Sequence, residues 1–514
     1  MRPLIKKPVV TAMLIIISLA GFFVMLMLTS KRGVGLFHGS FIYIYMARFF
    51  NNPGSFGNNY LDLYIWQTDP PVFSLFLAAI HWLGGPDPVI GARWLNAGLF
   101  GMNIFMVGLL IYRCTEAVWL MVAGSLWMLV KIDVLNCHSM AMSEPLFIFW
   151  ALLWGIFLMD FFETHRKRSL WACSLAAAVA CLTRFAGITL VLTGTVMLIL
   201  DKKKAVANTS AAAMFFSIST VPLILLMMRI CHASHFYLRK FAFHPFALAK
   251  LQICSWPVNP SHDRLILLSL IAVMIYLGWM IYRRREPLAI KSITTQRMLL
   301  GNTAGLFIII YVLSWIITMA FFDANAKEAR YSIPAQIFGL FFCLSYVREL
   351  FLVTKGFECL KFCFAGFFFI YLIGMNLESA VQWGVQRYSD GIQYDGKNWE
   401  KSEIIREVKK IPPQTIIYTN KFGALYFLAQ RVPFELFSKI DSRTQEHSFR
   451  YDYAVKKIRE DLHKRKGLIV YCWEGTPDLE ELNALKEDIP LKMVLKVSDG
   501  AIYAWDDKGV VHDY

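Results

Sequence analysis

The sequence predicts an α-helical polytopic membrane protein. It has about eleven transmembrane helices, interfacial helices in the first external loop, and a small soluble α/β domain at the C-terminal end. Three observations support this. Of the 514 residues, 57% are hydrophobic and only 17% charged, which is not the balance of a soluble globular chain. The apolar residues fall in runs of spanning length whose ends carry basic blocks. After about Asn376 acidic and basic residues mix, and Pro412-Pro413 punctuates the chain.

Residues 1–7 are basic and precede an apolar run over 8–29. No small-residue cleavage site follows it, so the run reads as a retained anchor rather than a removed leader. A half-polar stretch over 31–88 comes next, containing HGSFIYIYMARFF (38–50) and TDPPVFSLFLAAIHWLGG (68–85). A channel or scaffold has little use for so long a loop of aromatics and acids; an enzyme working at the membrane surface does. Within it, residues 71–82 are too short to cross a hydrocarbon core of about 30 Å, and Gly84-Gly85-Pro86 stops them, so they read as a helix lying on the outer leaflet.

The formal charge of +15 raises nucleic acid as a partner. The basic residues cluster at the ends of apolar runs, however, and that is the positive-inside pattern rather than a binding stripe. With Arg2/Lys6/Lys7, Arg166/Lys167/Arg168, Lys202/Lys203/Lys204 and Arg283/Arg284/Arg285 in the cytoplasm, further spans fall near 91–112, 117–135, 144–162, 169–183, 186–200, 207–229, 264–282, 299–321, 333–350 and 360–376. The N-terminus is then cytoplasmic and the tail extracytoplasmic. Between 171 and 200 the chain goes in and comes back through Thr183-Arg184-Phe185-Ala186-Gly187. Arg184 is thereby placed below the outer surface, where a charge is costly unless it lines a wet cavity or meets an anion. The plainer alternative is a snorkelling or internally paired arginine.

The expected division is a transmembrane domain over 1–376 and an extracytoplasmic α/β domain over 377–514. In the tail, helices are predicted at 398–410, 421–430, 451–465 and 477–486. Strands are predicted at 415–419 and 468–473, with a closing hairpin from 491–497 and 501–505. Ten cysteines are scattered without a CxxC pair. Cys231 and Cys254 share one predicted external loop, as a disulfide or as two free thiols.

The predicted outer face gathers acids and bases: His38, Arg48, Asp62 and Asp69 in the first loop, and Asp133, His138 and Glu144 around the second. Farther on come His232, His235, Arg239, Lys240, His244, His262 and Asp263, then Asp323, Lys327, Glu328 and Arg330. Carboxylates can deprotonate an acceptor hydroxyl, and cations, guanidinium above all, can hold a phosphate leaving group. No Walker loop, GxSxG, HExxH or dinucleotide fingerprint stands in a credible context, which argues against an ATP-driven pump, a lipase-like hydrolase and a zinc protease. The histidines of 232–262 match no standard zinc spacing. No motif calls for a cofactor, and a divalent metal stays open.

Several segments together resemble the membrane-embedded GT-C glycosyltransferases, in particular the protein-mannosyltransferase-like and aminoarabinose-transferase-like branch. They are Tyr43 to Arg48 (Y...AR), Pro70-Pro71-Val72-Phe73, Ala92-Arg93-Trp94-Leu95-Asn96, Ser143-Glu144-Pro145-Leu146-Phe147, Leu182-Thr183-Arg184 with Gly187, and Ala329-Arg330-Tyr331-Ser332-Ile333-Pro334. Tyr418-Thr419-Asn420 with Ala424-Leu425-Tyr426-Phe427 opens the tail domain. The resemblance covers about residues 30–345 and rests on order and spacing rather than on any single match. In that family an acid stands nine residues before the Arg of Y...AR, and here that position is Gly39. Asp62, Asp69 or Glu144 then supplies the base from elsewhere, or His38 does so through its imidazole, or the chain keeps the fold without the activity.

The resemblance implies an inner-membrane hexosyl- or pentosyltransferase. It would move a sugar from a polyprenyl-phosphate donor to a glycan, lipid or protein acceptor outside, with Arg184, Lys327, Arg330 and Tyr331 on the donor phosphate. For Glu144 the plainer reading is an acid favoured by its helix dipole, and for Asp69 a cap of the interfacial helix. Two other classes stay in view. A transporter or flippase should show paired broken helices in two related halves, which the sequence lacks; a non-catalytic assembly factor fits the missing acid.

Overall fold

A computed structural model describes residues 8–52, 70–201, 205–233, 296–321, 329–353, 358–440, 447–473 and 480–506. Asp62, Asp69, Lys327, the histidine-rich loop, the Cys231–Cys254 pairing and the expected 264–282 span fall outside them. Thirteen helices precede the sheet-bearing tail among the described residues: α1 Pro8–Leu28, α2 His38–Asn51, α3 Val72–Trp82, α4 Pro88–Thr115, α5 Val118–Val130, α6 Ile132–His138, α7 Glu144–Thr164, α8 Lys167–Thr183, α9 Ile188–Leu200, α10 Ala205–Ala233, α11 Gln296–Phe321, α12 Ile333–Val353 and α13 Glu358–Asp390. Five helices there are long and apolar enough to cross a membrane, and a bent pair makes a sixth.

That pair replaces the single span expected at 117–135. α5 and α6 meet at 62°, and the break is Lys131, an extended residue between two helices whose Nζ pairs with Asp133 at 3.5 Å. A lysine inside an apolar run bends the chain to reach a partner and water. The last long helix before the tail departs from expectation in the other direction. Instead of stopping near Asn376, α13 runs 33 residues to Asp390. At about 1.5 Å per residue it is roughly 50 Å long, well beyond a hydrocarbon core of about 30 Å.

The tail adds α14 Lys397–Glu400, α15 Glu403–Lys410, β1 Ile417–Thr419, α16 Phe422–Ala429, β2 Phe434–Glu435, α17 Phe449–Arg465, β3 Leu468–Cys472, α18 Glu480–Asp488, β4 Leu491–Val497 and β5 Gly500–Trp505. The sheet runs β2-β1-β3-β5-β4, parallel across its first three strands and antiparallel after them. β3 is buried on both faces. Val470 and Cys472 join one core with Phe422 and Leu425, while Ile469 and Tyr471 join another with Leu482 and Leu485, which is why it reads as an unbroken apolar run.

The core that takes Val470 also contains Phe41, Ile44 and Tyr45 of α2, Phe73 and Leu77 of α3, and Leu146 of α7. One apolar cluster therefore joins the first loop, the membrane helices and the sheet. Backbone ties run the same way. Gly35 N donates to Ser139 O at 2.8 Å, Ala141 N to Gly35 O at 2.9 Å, and Tyr394 N to Leu36 O at 2.9 Å. Arg387 of α13, wholly buried, reaches Asp395 at 2.7 Å and donates to Gly33 O at 2.7 Å.

Candidate active site

Three of the dispersed segments meet at one end of the helix bundle. Glu144 opens α7, Arg184 follows the last residue of α8, and Arg330 and Tyr331 stand in a 3₁₀ turn before α12. The Glu144 side chain is 2% exposed; its Oε1 lies 2.8 Å from Arg184 Nη1 and 3.5 Å from Arg330 Nη1. Neither carboxylate oxygen makes a well-aligned hydrogen bond among the described residues, so the pairing is electrostatic. Two guanidiniums from separate elements thus face one buried carboxylate.

Hydroxyls and rings complete the group. Arg184 Nη1 donates to Ser143 Oγ at 3.2 Å, and that oxygen shares a hydrogen bond with Tyr43 OH at 2.8 Å. Arg330 Nη1 lies 3.0 Å from Met142 Sδ, and its Nη2 donates to Tyr331 OH at 3.3 Å. The Tyr331 ring stands 5.5 Å from the Arg184 guanidinium and 5.0 Å from that of Arg330, whose other ring contact is Phe37 at 4.4 Å. Tyr311 of α11 fixes the turn by donating to Tyr331 O at 2.8 Å.

Arg184 is held by a break that only this sequence context permits. α8 stops at Thr183, Arg184 is extended, and a 3₁₀ turn over Phe185–Gly187 leads into α9. A Cβ on Gly187 would stand 2.4 Å from Cys181 N and 2.6 Å from the Ala180 carbonyl carbon. Backbone packs on backbone here, so nothing can swing aside. Gly187→Ala is expected to lower stability by about 1 to 3 kcal/mol and to displace Arg184, read as a lower Tm.

The same helix bundle has a second charged cluster at its far end, where Arg113 pairs with Asp160 at 3.6 Å and Glu163 at 2.8 Å. Glu144 and Glu163 bracket α7, so the two groups stand about 30 Å apart along its axis. Other candidates prove to be fasteners. Arg93 donates to Leu26 O at 3.0 Å and Thr29 Oγ1 at 3.1 Å, binding the end of α1. Arg48 donates to Tyr426 OH at 2.8 Å and pairs with Asp87 at 3.1 Å. Buried His138 bridges Val134 O at 2.7 Å and Asn103 at 3.1 Å.

His38 is not part of the Glu144 cluster. Its side chain is 55% exposed and faces Glu435 at 3.8 Å. Asp133 is tied to Lys131 and to Gln336 Nε2 at 3.4 Å. Phe37, Met142 and Tyr311 belong to the cluster without having been marked by any motif; for Tyr311 the only signal is a hydroxyl inside an apolar helix. Among the described residues no three His, Cys, Asp or Glu side chains come together as a metal site.

No protein-family model matches the sequence, and no curated protein matches it. Solved structures do. ArnT from Cupriavidus metallidurans bound to undecaprenyl phosphate aligns over 97% of this chain and 98% of its own, at 12% identity and a TM-score of 0.54. The apo state of the same protein aligns over 96% and 98%, at 12% identity and 0.53. Identity this low is a likeness of fold. The fold shared with these two structures agrees with the GT-C resemblance that the order of the motifs led us to expect.

Proposed function

We propose, with the GT-C fold as premise, that this chain is a membrane glycosyltransferase that moves a sugar from a polyprenyl-phosphate donor to an acceptor on the outer face of the inner membrane. One observation carries the reading: Arg184 and Arg330, brought from separate elements, place two guanidinium charges beside the buried Glu144 carboxylate. A lipid phosphate complements those charges, and guanidinium forks match its oxygens. Lys327 is assigned to the same phosphate on its position three residues before Arg330. The Tyr331 hydroxyl adds a donor.

The reaction is a single displacement. The acceptor oxygen attacks the anomeric carbon, the bond from that carbon to the phosphate oxygen breaks, and the phosphate leaves with the electron pair, neutralised by the two arginines. Attack and departure are in line, so the base lies across the sugar from the phosphate. Glu144, paired with both phosphate-holding cations, stands on the leaving side and acts as a positioning residue. The acceptor proton is therefore assigned to Asp62 or Asp69 of the first loop. His38, turned toward Glu435, is the remaining alternative.

Transfer from radiolabelled polyprenyl-phosphate sugars in vesicles tests this. Asp62→Asn or Asp69→Asn is expected to cut transfer about 100- to 10,000-fold while leaving undecaprenyl-phosphate binding intact; Glu144→Gln should weaken that binding. Full transfer by both aspartate variants sinks the base assignment. A wild-type protein that binds lipid phosphate yet transfers no sugar favours the non-catalytic reading, which the missing carboxylate at Gly39 supports.

A further inference from the structure

The segment before α2 carries an aromatic ring into the arginine cluster. Phe37 belongs to a short extended strand held on both sides: Gly35 pairs with Ser139 and Ala141, and Leu36 O accepts from Tyr394 N. Phe37 N donates to Ser40 Oγ at 3.1 Å, closing the first turn of α2. These bonds fix the backbone from which the ring projects. It stands 4.4 Å from the Arg330 guanidinium.

Gly39 is what leaves that place open. A Cβ there would fall 2.7 Å from Phe37 Cε1 and 3.0 Å from Cζ, closer than real side-chain contacts allow. The neighbour that would have to yield is the ring, because the backbone on either side is bonded. A side chain at 39 therefore presses on the ring that lies against Arg330. The lack of a first-loop acid at this position and the ring on the arginine are one structural choice.

We propose that Phe37 is a positioning residue for Arg330, admitted by the bare backbone of Gly39. The ring covers one face of the guanidinium without taking up a hydrogen-bond donor; with Tyr331 at 5.0 Å it limits where the cation can point. A face-on ring attracts the cation electrostatically without consuming a hydrogen bond. The proposal rests on the reading of Arg330 as a lipid-phosphate ligand.

The test is binding of radiolabelled undecaprenyl phosphate to the full chain in nanodiscs. Phe37→Leu is expected to weaken binding roughly 3- to 30-fold, with Phe37→Tyr and Phe37→Trp within about 2-fold of wild type. Gly39→Ala should weaken it like Phe37→Leu, without a matching fall in Tm. In an Arg330→Ala background Phe37→Leu should have no further effect, since the ring acts only through that cation. Unchanged binding by Phe37→Leu, or an equal loss with Arg330 already removed, overturns the proposal. If Arg184→Ala and Arg330→Ala both bind lipid phosphate like wild type, the underlying reading falls and this one with it; loss in those two with no loss in Phe37→Leu overturns this one alone.

Discussion

Arg184→Ala is expected to lower sugar transfer about 100- to 1,000-fold, the scale on which one well-placed donor to a developing anion is felt. The argument rests on where its atoms already are. Nη1 is engaged with Glu144 at 2.8 Å and Ser143 at 3.2 Å, which orients the fork before any ligand arrives. Alanine removes the charge and also frees Ser143 and Tyr43 from their register. Arg184→Lys should recover only part of the rate, because a single ammonium cannot hold Glu144, Ser143 and a phosphate together. Initial rates at saturating donor, with size-exclusion profiles as the folding control, decide it. A rate within about threefold of wild type would remove Arg184 from the phosphate site.

Arg387→Ala is expected to destabilise the protein by about 3 to 5 kcal/mol, the usual consequence of stranding one member of a buried pair. Arg387 and Asp395 are 0% and 4% exposed. Burial raises the Asp395 carboxyl above its usual range even with the guanidinium beside it, so desolvation dominates the pair. Alanine would leave that carboxylate unpaired and the Gly33 carbonyl without its donor. Arg387→Met combined with Asp395→Leu should recover most of the loss. Thermal unfolding in detergent measures both; an intact Tm in the single variant would show that the pair contributes nothing.

Much of the architecture was legible because membrane helices announce themselves by length and tail strands by period. The break at Arg184 was visible too, since two basic blocks on one side force a return between them. The convergence was not. Arg48, Arg93, Arg184 and Arg330 all stand near the ends of apolar segments, and nothing local marks the first two as fasteners and the last two as partners of one carboxylate. That distinction lies in residues far away in sequence: Tyr426 and Asp87 for Arg48, Thr29 for Arg93, Glu144 for the others.

Other misses have equally physical causes. The two-residue β2 is too short to have a period. α13 continues past its apolar stretch to Asp390, and its far end is tied to Gly33 through Arg387, a contact 354 positions away that no local pattern announces. Phe37 could not be picked from 41 phenylalanines until the ring was seen beside a cation.

The bond from Arg387 to the Gly33 carbonyl joins residues 354 positions apart, and it holds the strand that brings Phe37 to Arg330. At roughly 5 to 20 residues per second of synthesis, about 20 to 70 seconds pass between the making of one partner and the making of the other. For that interval the early helices stand in the bilayer with the Phe37 strand unclasped. Chains released before α13 is complete would carry most of the helices and lack the clasp, so it is the making of α13, rather than of the helices before it, that lets this side of the Phe37 segment close.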